Sequence, residues 1–356
     1  MSHTGERDTE LIVSRVANTK TSYTIQPIIS RDGRTIGKLL IAMKESGGAF
    51  GPNVAKEVAQ LEKKYGNVRV IAGKSHILTR DSYSTWIQDV LSPGIEEETA
   101  TQDDGIGIPG TSSMSLDEAR ERANQNSGVN RVLLLADSWS VNNNARIRQE
   151  FSNAGVRLLS IPPGTTGKIQ PLDVGFFRQY RQFHEEVVRL AGIYNIPALV
   201  TSRSGIINLQ SLLWDQFGAP VYADRIRRSW HNTDPNFDDK ELESPRSPGV
   251  NQISFGFRGD KTCEVRGCKN EAHVRCAHCG KHLCVEHFLE RKCFHGHGQS
   301  TLDEPVSLGE AYGIVNGTDL DFDAEVDMSD SDMYFFDHET TTQEPFGDGW
   351  PHDELR

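Results

Sequence analysis

Residues 131–173, RVLLLADSWSVNNNARIRQEFSNAGVRLLSIPPGTTGKIQPLD, contain the pattern that decides the fold of this chain. The apolar run at its start predicts a buried central strand that ends at Asp137. A helical pattern follows and ends at Gly155, and VRLLSIPP then predicts a second buried strand. Because strand, helix and strand in this order form a parallel βαβ unit, the sequence predicts an α/β fold.

Two acidic residues stand out by their position in this unit. Asp137 ends the first strand, and Asp173 opens a helix after the turn-rich segment IPPGTTGKIQ. Acids at the carboxyl edge of an α/β sheet lie where ligands usually bind, and clustered carboxylates suit the two Mg²⁺ ions of phosphoryl transfer. The alternative is structural: Asp137 caps a loop and Asp173 complements a helix dipole.

Further strands and helices are predicted on both sides of this unit. Before it, the sequence predicts antiparallel strands over residues 11–43, with a hairpin at Asp32 and Gly33. A helix over 53–66 and a strand over 67–73 are predicted next. A second helix is predicted over 79–91, capped by Thr79 or Asp81. The acidic, Gly-rich and Ser-rich residues 92–128 predict a surface insertion with a short helical patch. After the unit, helices are predicted over 172–190 and 205–230, the first with an aromatic face.

The charge of the chain is unevenly distributed. The formal net charge is -12, but residues 301–356 hold 16 acidic residues and one basic residue, so the preceding part is close to neutral. The overall charge therefore does not exclude a nucleic-acid partner. The acidic tail also contains aromatic residues such as Phe335 and Phe336. This composition predicts either a solvated, disordered segment or a segment that binds a protein partner.

A cluster of cysteines and histidines lies near the carboxyl end. All six cysteines fall between Cys263 and Cys293, which favours metal binding in a reducing compartment over a disulfide framework. Four ligand pairs suit two tetrahedral Zn²⁺ ions. Interleaved pairing predicts one site from Cys263, Cys268, Cys284 and His287, and another from Cys276, Cys279, Cys293 and either His295 or His297. The alternative is a set of free or oxidised thiols, and His273, His278 and His282 are interpreted as surface residues.

Several strings resemble a known family when they are taken together. LLLADSWSVNN and SIPPGTTGKIQPLDVGFFRQYR, with TSYTIQPIISRDGR, AGKSHILTRDSYSTWIQDVL and YADRIRRSWHN, resemble the DDE superfamily endonuclease domain of pogo-like and Tigger-like transposases over about residues 10–235. The cysteine cluster is similar to the cross-brace, cysteine-rich carboxyl-terminal domains of some other transposases. The resemblance implies a ribonuclease-H-like mixed sheet with flanking helices.

The resemblance also implies a chemistry, namely DNA cleavage by a metal-activated water followed by joining of the freed 3′ hydroxyl to a new strand. Asp137 and Asp173 would be the second and third metal-binding acids, with Mg²⁺ or Mn²⁺ as the ion. The loop that presents the third acid would contain Thr165, Thr166, Lys168 and Gln170, and Lys168 could meet a phosphate. DNA as partner, a homodimer and a nuclear location follow from the same resemblance.

The sequence departs from this family at its amino terminus. Relatives carry the first acid on a strand that precedes the GER segment, and this chain begins at MSHTGER. Asp8, Glu10 and Asp32 are the nearest substitutes. A helix-turn-helix region is also missing, so we expect either a fragment or a relic adopted for another role. The alternatives to a nuclease are a non-catalytic DNA-binding or chromatin-binding protein and a ubiquitin-ligase-like interaction module.

The predicted organisation has four parts. They are an endonuclease core over residues 1–235 with its insertion at 92–128, a linker over 236–260, a zinc-binding finger over 261–298 and a disordered acidic tail over 299–356. The sequence contains neither a signal-peptide core nor a run of about 20 apolar residues. We therefore expect an intracellular protein.

Overall fold

The computed structural model describes residues 22–75, 77–103, 132–137, 140–234, 247–257, 261–293, 295 and 335–336. Within these ranges the chain is a mixed α/β protein with small sheets and packed helices. The strands are β1 Tyr23–Gln26, β2 Leu39–Lys44, β3 Val68–Gly73, β4 Val132–Ala136, β5 Val156–Ser160, β6 Val274–Arg275, β7 His282–Leu283 and β8 Phe335–Phe336.

The helices follow the amphipathic patterns of the sequence. They are α1 Pro52–Tyr65, α2 Arg80–Trp86, α3 Ser92–Asp103, α4 Ala145–Asn153, α5 Thr166–Ile169, α6 Phe177–Ile193, α7 Ala198–Thr201, α8 Arg203–Phe217, α9 Ala223–His231 and α10 Val285–Leu289. None of the helices in the described ranges combines the length and the apolar character that a membrane span requires.

The first sheet has the strand order β3-β2-β1-β8. β1 and β2 are antiparallel, as predicted, whereas β2 and β3 are parallel, with Leu39 opposite Val68. The hairpin predicted at Asp32 and Gly33 is present, and Gly33 has a positive φ of 96°. Of the predicted acidic tail, the structure describes β8, which pairs with β1 and places Phe336 opposite Tyr23. The first strand predicted over residues 11–17 lies outside the described residues.

The predicted parallel βαβ unit is present, but its strands are only partly buried. β4 and β5 pair in parallel, with Leu135 opposite Leu159. Val132 and Leu134 pack against a second core cluster that also contains residues of α4. Leu133, in contrast, is 62% exposed. The prediction of buried central strands was therefore wrong for the residues described, because α4 covers one face of this sheet and leaves the other open.

The first residues of the predicted surface insertion continue the preceding helix as α3. α2 has a capping box at its start, in which the Thr79 hydroxyl accepts a hydrogen bond from the backbone N–H of Ser82. A π-helical turn then leads directly into α3, and the backbone N–H of Ser92 donates to the carbonyl of Ile87. Because this wider turn accommodates Pro93, which has no N–H to donate, Ser-Pro-Gly does not end the helix. The rest of the insertion lies outside the described residues.

The main core lies between the first sheet and helices α6 and α8. The predicted aromatic face of α6 is buried, and Phe183 and Val187 are fully inaccessible. A polar network crosses this core: the Gln210 amide donates to the Tyr23 hydroxyl at 2.9 Å, and the Tyr180 hydroxyl donates to Gln210 at 2.8 Å. These partners satisfy groups that would otherwise be costly to bury.

Part of the predicted linker is packed against the core. Residues 247–257 are described, and within them Asn251–Phe255 form a π-helical turn in which Ile253 is buried. The Arg275 guanidinium donates a 2.6 Å hydrogen bond to the carbonyl of Ile253. The apolar residues Val250 and Ile253, three positions apart, share one face and bury it, which a polar linker would not do.

Candidate functional site

The carboxyl ends of β4 and β5 form the sheet edge at which the sequence predicts an acidic site. Ala136 lies opposite Ser160, so Asp137 and the loop after β5 leave the sheet on the same side. The Thr166 hydroxyl donates a 2.9 Å hydrogen bond to Oδ1 of Asp137. The Asn142 amide donates to the backbone carbonyl of Asp137 at 2.7 Å. Asp137 is therefore an exposed residue whose carboxylate is bound by Thr166 and whose backbone carbonyl is bound by Asn142.

Asp173 lies behind the same loop, in the π-helical turn Leu172–Phe176 that leads into α6. Its backbone N–H donates a 3.0 Å hydrogen bond to the carbonyl of Gln170. The side chain is half-buried. Asp173 therefore lies at the helix start that the sequence predicts. The hydrogen bond to the carboxylate of Asp137 described above comes from Thr166.

The other loop residues have separate roles. The Thr165 hydroxyl donates to the carbonyl of Pro162 at 2.8 Å and so closes the turn of the loop. Lys168 is exposed, as a residue that meets a phosphate would be. The buried Oε1 of Gln170 has no hydrogen-bond partner within the described part of the chain. An orphaned buried acceptor costs about 1–3 kcal/mol, which is typical of groups that act when a ligand or water is present.

The first Cys/His group consists of Cys263, Cys268, Cys284 and His287, whose ligand atoms all lie within 4.8 Å of one another. His287 Nδ1 is 3.3 Å from the sulfur of Cys263 and 3.3 Å from that of Cys284. Burial raises the pKa of the Cys284 thiol to about 11. For Cys263, burial acts in the same direction, but hydrogen bonds from the backbone and His287 outweigh it and lower the pKa to about 7. A metal bound here would displace the remaining thiol protons, because cysteine ligates as the thiolate.

The second group consists of Cys276, Cys279, Cys293 and His295, again with all ligand atoms within 4.8 Å. The sulfurs of Cys279 and Cys293 are 3.0 Å apart, and His295 Nε2 is 3.4 Å from the sulfur of Cys293. Hydrogen bonds with Cys276 and Cys279 raise the pKa of His295 to about 10. His297, the alternative ligand in the prediction, lies outside the described residues.

Both groups match the interleaved pairing that the spacing predicts. Each offers three thiolates and one imidazole, a donor set that suits tetrahedral Zn²⁺. In each group all four ligand atoms lie within 4.8 Å of one another, so the four side chains can converge on one ion. The residues present therefore fit two zinc ions in a cross-brace arrangement.

Three other histidines of the finger, His273, His278 and His282, were expected to be surface residues rather than metal ligands, and they are less exposed than expected. Each is partly buried and contacts a neighbour: His273 is 2.6 Å from the Tyr194 hydroxyl, and His278 is 2.8 Å from the carbonyl of Asp215. His282 lies 3.6 Å from Glu264. All three stay outside the two metal groups. Because these contacts join residues far apart in sequence, spacing could not reveal them.

The finger shares its core with helices α6 and α8. The ring of Phe288 stacks on Phe183 of α6 at a centroid distance of 6.0 Å. The Arg291 guanidinium lies 4.0 Å from the Tyr65 ring centroid and donates to Asn208 of α8 at 3.1 Å. Sequence reasoning missed these contact residues, and no local pattern distinguishes them. The finger is consequently part of the packed body.

Comparison with known proteins gives one family. Residues 238–294 match the family model of the Tc5 transposase C-terminal domain. This range contains every predicted zinc ligand up to Cys293. No curated protein and no solved structure shows detectable similarity to the chain. The match supports a transposase-related protein, and it covers the finger and the segment before it.

Proposed function

We propose that this chain is a transposase-derived DNA-binding protein whose core has the ribonuclease-H-like architecture of DDE-type nucleases. The observation that carries the proposal is the similarity of residues 238–294 to the Tc5 transposase C-terminal domain. The pogo-like and Tigger-like strings of the core, about residues 10–235, support the same assignment. A protein of this kind acts on DNA in the nucleus, and a homodimer would allow it to hold two DNA ends.

The acidic edge supports divalent-metal chemistry in the core. Asp137 and Asp173 would hold Mg²⁺ or Mn²⁺, which supplies an activated water and stabilises the charge on a phosphodiester. Thr166 would orient Asp137 through its 2.9 Å hydrogen bond. Lys168, exposed on the same loop, would contact a phosphate. Cleavage requires a further carboxylate, which the family carries on a strand before the GER segment.

The finger would act as a structural element. Two Zn²⁺ ions held by the two Cys/His groups would fix the fold of the finger, since about 35 residues bury too little apolar surface alone. Because Phe288 packs on Phe183, the bound metals would also fix the finger against α6. The acidic tail would then be available to a protein partner, apart from its β8 pairing.

The second candidate is a protein that has the same fold but does not cleave DNA. The match to a carboxyl-terminal domain, rather than to a nuclease domain, favours a non-catalytic DNA-binding or chromatin-binding protein. In that case Asp137 and Asp173 would have only structural roles. Both candidates share DNA binding and differ in metal-dependent cleavage.

The deciding experiment is a nicking assay on supercoiled plasmid DNA with Mg²⁺ or Mn²⁺, using the zinc-loaded full chain. A nuclease would nick the plasmid, and Asp137→Asn would abolish nicking while leaving DNA binding within a few fold. Asp81→Asn, an exposed acid at the start of α2, is the matched control and should cut normally. DNA binding without any nicking would assign the non-catalytic function. Absence of both would refute the proposal.

A further inference from the structure

β3 is an edge strand of the first sheet, whose order is β3-β2-β1-β8. The backbone N–H of Glu45 donates a 2.8 Å hydrogen bond to the carbonyl of Gly73, so Gly73 faces β2. Successive residues of a strand turn their backbone polar groups to opposite sides. Val70 and Ala72 therefore turn theirs away from the sheet.

Part of this outer edge is unpaired. The backbone N–H of Val70 donates a 2.5 Å hydrogen bond to Oε1 of Glu62 on α1. Among the described residues, the carbonyl of Val70 and both backbone polar groups of Ala72 have no hydrogen-bond partner. Unpaired groups along a strand edge are a template for a further strand. The edge at Ala72 can therefore accept an extended peptide.

The unpaired part of the edge lies in an open groove between α1 and α2. α1 packs on one face of the sheet, where Val58 and Val70 belong to the main core cluster. α2 packs on the other face, where Tyr83 and Ala42 belong to the second cluster. The groove has a volume of about 520 Å³, within the range of about 300–1,000 Å³ that is typical of ligand sites. An added strand would lie between the two helices.

The two walls of the groove differ in polarity. The α1 wall contains Ala55 and Ala59, which are exposed and four residues apart, so they share one face. The α2 wall contains the hydroxyl groups of Thr79, Ser82 and Thr85. Side chains of an edge strand point alternately to the two faces of its sheet. A strand that alternates between apolar and polar residues would therefore match both walls.

The α2 side of the groove is also basic. Lys74 follows β3 directly and Arg80 lies at the start of α2, and both are exposed. Neither has a carboxylate within 4.0 Å among the described residues. The acids of the lining already have cationic partners, Arg69 for Glu62 and Arg146 for Asp81. The polar face of a bound strand should therefore be acidic.

The acidic tail contains a segment with this pattern. Residues 319–327, DLDFDAEVD, alternate strictly between acids at the odd positions and apolar residues at the even ones. This period of two is typical of a strand with one buried face. The segment lies outside the described residues. Its sequence nevertheless provides an apolar face for the α1 wall and an acidic face for the α2 wall.

We propose that residues 319–327 bind to the outer edge of β3 as an added strand, in the groove between α1 and α2. Ala72 would provide backbone hydrogen bonds, and Lys74 and Arg80 would meet the acids. The tail is already held near this sheet, because β8 pairs with β1. Linkage within one chain raises the effective concentration to about the millimolar range, so weak pairing suffices. A protein partner of the tail would have to compete with this groove.

The test is amide hydrogen exchange of the zinc-loaded full chain, followed residue by residue by NMR. A bound strand gives the N–H of Ala72 an acceptor, whereas Phe322→Pro removes an N–H and interrupts the strand. The Ala72 amide should therefore exchange at least about tenfold more slowly in the wild type than in Phe322→Pro. Asn316→Pro, in the same tail but outside the alternating segment, should match the wild type. The amide of Ile71, which faces β2, is the internal reference and should not change.

Exposed residues of α1 test the groove itself. Ala59→Glu places a carboxylate on the apolar wall, so it should speed the exchange of Ala72 as Phe322→Pro does. Gln60→Glu adds the same charge one position further along the helix, outside the groove lining, and should leave the exchange unchanged. Both positions are exposed, so neither variant should impair folding.

A charge exchange tests the α2 side. Lys74→Glu/Arg80→Glu should speed the exchange of Ala72, because the acids of the segment would meet like charges. Adding Asp321→Lys and Asp323→Lys to that variant should restore the slow exchange. High salt should weaken the protection in the wild type.

Three results would overturn the proposal. The first is equal exchange of Ala72 in the wild type, Phe322→Pro and Ala59→Glu. The second is protection of Ala72 that grows with protein concentration, since it would assign the groove to a second copy of the chain. The third is an effect of Phe322→Pro on the amide of Tyr23 instead of Ala72, which would assign the segment to the edge of β1. None of these measurements depends on DNA binding, so the outcome is independent of the proposed function.

Discussion

The side-chain oxygen of Gln216 accepts a 2.7 Å hydrogen bond from the backbone N–H of Ala277. Gln216 is fully buried near the end of α8, and Ala277 lies between two predicted zinc ligands, Cys276 and Cys279. Together with the contact of His278 with the carbonyl of Asp215, this hydrogen bond joins α8 to the metal-binding loop. The finger and the core should therefore unfold together, and a substitution in either one should change the stability of both.

Replacing Gln216 by alanine should destabilise the whole protein. The hydrogen bond between the Gln216 side chain and the N–H of Ala277 would be lost and a cavity would remain, at a combined cost of about 2–4 kcal/mol in the free energy of unfolding. Chemical denaturation of the zinc-loaded protein would measure this. Gln149→Ala, on the exposed face of α4, is the matched control and should change stability by less than about 0.5 kcal/mol. If Gln216→Ala and Gln149→Ala change the free energy of unfolding equally, the hydrogen bond between Gln216 and Ala277 does not contribute to stability.

The choice of the eighth zinc ligand can be tested with one pair of variants. The wild type should bind two Zn²⁺ ions per chain, as measured by mass spectrometry of the metal content. His295→Asn should retain one firmly held ion, because His295 lies within the second group. His297→Asn should retain both. The reverse result would assign the ligand to His297 and contradict the geometry.

Two glycines, one just before α6 and the other near its end, should respond oppositely to alanine. At Gly175 a methyl group would collide with Ser229, so Gly175→Ala should cost about 1–3 kcal/mol. At Gly192, near the end of α6, no atom beyond its chain neighbours and the local helix backbone lies within 4 Å of the added methyl group. Gly192→Ala should therefore be neutral or stabilise by up to about 1 kcal/mol through helix propensity. Thermal unfolding compares the two variants, and a Gly175→Ala variant as stable as the wild type would refute the tight contact between the π-helical turn and α9.

Stability should fall in mild acid through His273. Its pKa is lowered from 6.5 because burial disfavours the charged ring, and its buried Nδ1 has no hydrogen-bond partner in the described structure. The unfolded chain therefore binds more protons, so this contribution is complete above pH 6.5 and is lost as the pH falls toward the folded-state pKa.

The measurement is the free energy of unfolding of wild type and His273→Gln at about pH 7.5 and about pH 5.5. The wild type should lose more stability over this interval than the variant does. Acid sensitivity of the zinc sites affects both proteins and cancels in the difference. A steeper loss in the variant would mean that the ring is protonated in the folded state.

Much of the local structure could be predicted from the sequence. The amphipathic spacing of α1 and α6, the Thr79 cap and the hairpin at Gly33 all depend on neighbours in the chain, and the structure contains each of them. The two Cys/His groups could be predicted for the same reason, since short loops bring ligand pairs together.

The tertiary structure alone decided what covers each element. The sequence of β4 is as apolar as that of a buried strand, yet Leu133 is exposed because α4 packs on the other face. Likewise, Ser-Pro-Gly at residue 92 reads as a turn, and only the surrounding π-helical geometry keeps the chain helical. Contacts such as Thr166 to Asp137 and Gln216 to Ala277 join residues 29 and 61 positions apart. Local periodicity specifies a strand or a helix, whereas burial and long-range partners depend on the packing of every other segment.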